Sequence, residues 1–461
     1  MNRLNLINRI TKLNGIYNLN PFECDDEFLK IKDNKNLSFE KFFNLKLKDF
    51  FKLILKQFKG SLIAYKLFLK NKFSKNNIDL SSDIFLISYD DCKNISSEDK
   101  YFGSLKNKYQ LKGRKKISQI NIDVYGVKPS NLSIIKIISH IEAIKILFLS
   151  QIIFLMIFLK LFKSYFSRKS SKETIINYEL LSKSLINRLI YWDFLFKKFF
   201  KKAKKNTSII FLLEGSSWEW LLMYHIPKNK SIAGYIHGFA REDQFGLYNL
   251  INLFSHHKNL KILVSESWSL DLIKDKTNNN KIYKVENTRY PTDISIKRKP
   301  TLKIDFLIIG GINLKLTTRM IELFSTALEK TNRINKYKVM IRLHPNNKNN
   351  FIPKKPQVID EVNISLRSAI NQAKVIIASG DTAGVIDSLI YKKKCFLFLP
   401  ENSCDLCPVP KKFRYVLRNF EDFLKIVEDN KNSNYDNIKI NLPFFYTNKD
   451  FYFWAKFIDS Q

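Results

Sequence analysis

Apolar residues in the second half of the chain come in short unbroken blocks, not in alternation. The blocks are 208–213 (SIIFLL), 231–236 (SIAGYI), 260–265 (LKILVS), 304–311 (IDFLIIGG), 337–343 (YKVMIRL), 374–379 (KVIIAS) and 395–400 (CFLFLP). Stretches with helical spacing separate them. A strand buried on both faces shows no alternation, so the blocks predict a parallel sheet covered by helices on either side. An earlier block, 83–91 (DIFLISYDD), reads as the first buried strand. The polar stretch 287–302 carries Pro291 and Pro300 and precedes a fresh strand, which marks a domain boundary. The expected fold is therefore α/β, with two Rossmann-like parallel-sheet domains and ligands in the cleft beyond the carboxyl ends of the strands.

The first part of the chain has a different texture. Residues 1–80 read as a basic N-terminal helical region, where apolar residues at helical spacing run from Phe42 to Phe73 and are broken by Gly60. Residues 81–300 are expected to form the first domain, with a basic helical insertion at about 130–205 that ends in FKKFFKKAKKN. Residues 301–424 form the second domain, and 425–461 a tail that packs back on the fold.

One segment bears on a membrane. Residues 143–162 hold a charge-free core, 146–159, of only 14 residues, followed by Lys160, Lys163, Arg168, Lys169 and Lys172. A span needs about 18–20 apolar residues. A buried helix, an in-plane interfacial helix held by anionic lipid, and a span are the three readings. The first 15 residues show no continuous apolar run, so no signal peptide is expected.

Composition narrows the class. With 461 residues, 45% of them hydrophobic, the chain can build two domains of ordinary size. The formal net charge is +35. Abundant Lys, Asn, Ile and Phe match an AT-rich coding bias, which discounts that charge as a signal. Nucleic acid is not an expected partner, because no nucleic-acid-binding motif accompanies the lysines. Five scattered cysteines make no disulfide framework and fit a reducing compartment. Cys404 and Cys407 form a CxxC without a second pair, so no metal site is expected. There is neither a P-loop nor a GxSxG elbow.

Chemistry-bearing residues cluster just after the predicted strands. In LLEGSSWEW (212–220), Glu214 follows a strand, Gly215 permits close backbone approach, and Ser216 or Ser217 can cap the next helix. A carboxylate there can take a proton from a hydroxyl. Glu219, one turn on, has the placement of an ordinary helix N-terminal acid. In YIHGFARED (235–243), His237-Gly238 follows a strand and offers a second candidate base or phosphate contact. In IRLHPNN (341–347), His344 ends a strand that Pro345 stops, and Arg342 faces the other side. In IIASGDTAGVIDSLI (376–390), Ser379, Gly380 and Thr382 precede a helix, a natural anion site. Gly310 and Gly311 form a further strand-to-helix turn.

Together these motifs resemble the acid-Gly, HP and Ser/Thr pattern of bacterial sialyltransferases and Kdo transferases of the GT-B type. Their order is similar still more to a family of surface-carbohydrate (O-antigen) biosynthesis proteins: ISYDD (87–91), YFGSL (101–105), EGSSWEW (214–220), AGYIHG (233–238), IIGGIN (308–313), RLHP (342–345), SGDTAG (379–384) and NLPFFYTNKDFYFW (441–454). The resemblance covers residues 83–461. It implies a metal-independent GT-B glycosyltransferase with Glu214 as general base, His344 on the donor phosphate, and Ser379 and Thr382 binding that phosphate. It implies no cofactor beyond a nucleotide-sugar substrate, CMP-linked by this pattern, and a glycan or lipid-linked acceptor. An anionic membrane surface is a further expected partner, with the protein cytoplasmic and peripheral on the inner membrane. Leu213 stands where the sialyltransferase pattern has a second acid. The HG at 237–238 is also similar to that of CDP-polyol phosphotransferases, which leaves Glu214 and His237 both open as the base.

Overall fold

The computed structural model describes residues 51–62, 79–89, 101–110, 115–122, 137–167, 185–288, 304–344, 364–429 and 445–461, apart from short gaps within those spans, together with Asn347. The first sheet holds β1 (Ile84–Tyr89), β2 (Ile117–Ile122), β3 (Ser208–Leu212), β4 (Ile232–Ile236), β5 (Leu260–Val264) and β6 (Ile282–Lys284). Their order is β2-β1-β3-β4-β5-β6, and every pairing is parallel. The second sheet holds β7 (Ile304–Ile309), β8 (Val339–Arg342), β9 (Ala373–Ser379), β10 (Cys395–Phe398) and β11 (Tyr415–Leu417), in the order β11-β10-β9-β7-β8, again all parallel. Two Rossmann-like α/β domains result.

The unbroken apolar blocks explain themselves here. All five residues of β3 and all five of β4 are buried, because helices cover both faces. The helices are α1 (Leu105–Gln110), α2 (His140–Phe166), α3 (Leu185–Lys202), α4 (Ser217–His225), α5 (Phe245–Leu253) and α6 (Ser267–Lys276) around the first sheet, and α7 (Leu314–Lys330), α8 (Leu366–Gln372), α9 (Gly384–Ile390) and α10 (Phe420–Asp429) around the second. In α7 the buried positions 317, 320, 321, 324, 327 and 328 trace one face at helical spacing. Three strands had no clear signal. β2 carries polar Ser118, Gln119 and Asn121 among its isoleucines, and β6 and β11 are three-residue edge strands.

The last helix, α11 (Tyr452–Asp459), belongs to the first domain's core. Phe451, Trp454, Phe457 and Ile458 are buried in the same apolar cluster as β1, β3 and β4. Glu286, just after β6, accepts from the backbone N–H groups of Phe453 (2.8 Å) and Trp454 (3.0 Å) and so caps the helix.

The two domains meet at their carboxyl edges. Phe239, three residues beyond β4, is buried with Ile309 at the end of β7, Leu399 just past β10, and Val409. Its ring also lies 5.1 Å from that of Phe445. A ligand held between the domains therefore faces the strand ends of both sheets.

Candidate functional site

Each sheet reverses its strand order once, between β1 and β3 in the first and between β7 and β9 in the second. The crevice at such a switch point is where open α/β sheets bind ligands. The candidate residues stand there or one strand away.

On the first domain, β3 delivers Glu214 and β4 delivers His237. Glu214 Oε1 lies 3.4 Å from His237 Nδ1. The two candidates that the sequence left as alternatives are thus one pair. His237 is buried, and Tyr101 meets its imidazole edge-on at 4.9 Å between ring centres. The backbone of both residues is tied down. Asn287 Nδ2 donates to the His237 carbonyl (3.1 Å), and Gln244 Nε2 donates to the Glu214 carbonyl (3.1 Å).

Glu219 builds the turn that presents Glu214. Gly215 sits at φ +89°, a conformation costly for any residue with a Cβ. Glu219, fully buried in the first turn of α4, accepts from Gly215 N (2.8 Å) and Glu214 N (3.0 Å). It takes over the capping task, since Ser216 occupies the cap position without a side-chain capping bond. Burial, and secondarily the charge of Glu214, hold the Glu219 carboxyl well above the usual carboxylate range, against the pull of the backbone N–H groups.

A carboxyl with a raised native pKa contributes its stability below its unfolded value and loses it as pH rises through its folded value. Relative to a Glu219→Gln variant, wild type should lose melting temperature from the ordinary glutamate range upward. Thermal denaturation across mildly acidic to alkaline pH checks this. A wild-type advantage that grew with pH would contradict it.

On the second domain, Asp381 joins the two turns at the switch point. Its Oδ1 accepts from Ser379 Oγ (2.5 Å) and its Oδ2 from Asn313 N (2.6 Å). Gly311 lets this happen: a Cβ there would sit 1.6 Å from Asp381 Oδ1. Thr317 Oγ1 accepts from Gly311 N (3.0 Å), and Gly310 N donates to the Arg342 carbonyl (2.8 Å). Asn347 Nδ2 donates to the carbonyls of Gly311 and Ile312 (2.9 Å each), while Asn347 N donates to the His344 carbonyl (2.8 Å). His344 and the Gly310-Gly311 turn are therefore braced together by Asn347, and Arg342 joins them through its backbone.

Ser379 and Thr382 also take part in the hydrogen bonds of their own turn. Ser379 is buried, with its hydroxyl engaged by Asp381, and Thr382 Oγ1 accepts from Gly384 N (3.2 Å). Both hydroxyls brace the turn around Gly380. The carboxylate of Asp381 among them also repels a second anion at that spot.

Tyr101, Asn347, Asp381 and the bracing role of Glu219 were not legible as site features. Glu219 had a signal, because Ser216 and Glu219 have the S-x-x-E spacing of a capping box. Tyr101 opens the YFGSL motif, but its role beside His237 was hidden, because it arrives from the β1–β2 connection. Among the described residues, no group of three or more His, Cys, Asp or Glu is arranged to hold a metal ion.

No protein-family model matches this chain, and no curated protein matches it. Among solved structures it is similar to UDP-GlcNAc 2-epimerase of Methanocaldococcus jannaschii, with 15% identity, a TM-score of 0.49, and 82% of this chain and 99% of that one covered. It is similar to TarM at 15% identity and a TM-score of 0.33, over 53% of this chain and 52% of that one. A glycosyltransferase of kitacinnamycin is similar at 8% identity and a TM-score of 0.38, over 77% and 91%. Function has to be read from this chain's own residues.

Proposed function

We propose that the protein is a glycosyltransferase that moves a sugar from a nucleotide-sugar to an acceptor hydroxyl. The observation that carries the reading is the Glu214–His237 pair, 3.4 Å apart at the first sheet's carboxyl edge, the edge that meets the second domain. Glu214 at Nδ1 orients the ring, so Nε2 takes the acceptor proton. The acceptor oxygen attacks the anomeric carbon, and the bond from that carbon to the phosphate oxygen breaks. Negative charge then develops on the nucleotide phosphate. His344, just past the end of β8, stabilises it, which is the role a cation plays in other transferases. Orientation by two rigid sheets supplies the remainder. In this reading the donor is CMP-linked and the pathway is surface-polysaccharide synthesis, with a glycan or lipid-linked acceptor.

The test is thermal shift with CMP, CDP, UDP and GDP, without added metal, on wild type and His344→Ala. One nucleotide should stabilise wild type by about 2–3 kcal/mol at a hundredfold excess over Kd, which is several degrees, and this shift should vanish in the variant. A shift with CMP supports the CMP-linked donor. CDP would point to polyol-phosphate transfer, whose product is a phosphodiester. No shift with any nucleotide would replace the enzyme by a non-catalytic scaffold.

A further inference from the structure

α2 carries apolar residues on both its sides, but only one side is buried. Ala143, Ile146, Ser150, Ile153, Phe154, Ile157 and Leu161 pack inward. At about 100° per residue, Ile141, Ile144, Phe148, Leu155, Leu159 and Phe166 form a stripe on the opposite side, and all six are exposed. The helical residues 51–62 repeat the pattern. Leu53, Gln57 and Ser61 are buried, while Phe51, Leu55, Phe58 and Leu62 stand out at i, i+4, i+7 and i+11. Gln151 of α2 donates to Ser61 Oγ (2.5 Å), so the two helices lie side by side. Leu55 and Phe148 are each 69% exposed, far more than a core residue tolerates.

The charges around the stripes are of one sign. Lys52, Lys59, Lys145, Lys160 and Lys163 are exposed on these two helices. The acid of α2, Glu142, is bound by Lys198 of α3 and by the Ser139 cap. A second copy seated on this face by a two-fold would set lysine against lysine. An anionic surface with an apolar interior matches both the charge and the stripes.

We infer that α2 and residues 51–62 form a two-helix platform that lies in the plane of an anionic phospholipid membrane, with the exposed stripes among the acyl chains and the lysines at the headgroups. α2 is long and apolar enough to cross a bilayer by length and composition. Crossing would require stripping its inward stripe from the first domain's core, and lying in the plane leaves that packing intact. The inference stands apart from glycosyl transfer, since its test involves no turnover.

The test is co-sedimentation of the full chain with phosphatidylcholine vesicles and with vesicles enriched in phosphatidylglycerol. Wild type should bind the anionic vesicles and leave the neutral ones. Phe148→Ser with Leu155→Ser should weaken binding by about tenfold or more, at an unchanged melting temperature because both side chains are exposed. Lys145→Gln with Lys160→Gln and Lys163→Gln should weaken it too, in a salt-dependent way. Wild type remaining unbound, or binding untouched by the Ser pair, would overturn the inference. So would a solution dimer that the Ser pair dissociates, because a second copy would then be the occupant.

Discussion

Glu214→Gln should lower turnover by about a hundredfold to ten-thousandfold while leaving the fold and nucleotide binding intact. The amide keeps the carboxylate's shape but not its charge. An imidazole that has taken the acceptor proton at Nε2 then loses the negative partner 3.4 Å from its Nδ1. His237→Ala removes the base itself and should cost at least as much. The informative measurement is the double variant. Two groups that act as one unit give losses that do not add, so the double variant should be no slower than the worse single one. Rates that multiplied would separate Glu214 from His237 and return each to an independent role. Tyr101 packs edge-on against the same imidazole and Asn287 holds its carbonyl, so the ring should stay in place when Glu214 is replaced.

The second large effect is on stability. Trp454→Ala should cost about 3–5 kcal/mol, read as a shift in the denaturant midpoint. Trp454 is fully buried, and its indole Nε1 donates to the Glu286 carbonyl (2.7 Å). Its ring meets Tyr235 edge-on at 5.0 Å and Phe102 at 6.4 Å. Tyr235 lies two residues before His237, on β4, so the cavity left by the indole opens beneath the carboxyl edge that carries His237. Activity should fall with stability. A tryptophan replaced at a cost under about 1 kcal/mol would mean that α11 is a loosely attached tail. Trp454→Phe, which keeps most of the apolar area but loses the N–H, should fall between wild type and the alanine variant.

The architecture was legible because parallel sheets write themselves as unbroken apolar blocks. Strands β3, β4, β5, β7, β9 and β10 coincide with such blocks to within a residue or two. β2 escaped because half its positions are polar, all three tied to partners inside the fold: Ser118 to Ser82 (2.6 Å), Asn121 to Ser88 (3.2 Å) and Gln119 to Asn121 (3.3 Å). Strand ends also pointed to the residues that the fold gathers at the carboxyl edges, since turns with Glu, His and Gly stand out after apolar runs. What the chain could not reveal was pairing across distance. Glu214 and His237 are separated in sequence, and only the adjacency of β3 and β4 brings them together. Asp381 shows the same limit. Beside Gly380 it reads as a turn former, and only the approach of Gly311 reveals it as the link between two strand ends.

The docking of α11 has a consequence for how the chain is made. A nascent chain exposes its first domain first, and domains ordinarily fold in that order. Here the helix that packs against Tyr235, Phe102 and Glu286 is synthesised after the whole second sheet. At roughly 5–20 residues per second, the first domain waits on the order of ten to thirty seconds with part of its core open to solvent. The domain that begins first is thus the one that finishes last, and the wall beneath its carboxyl edge is complete only once residues 452–459 have emerged.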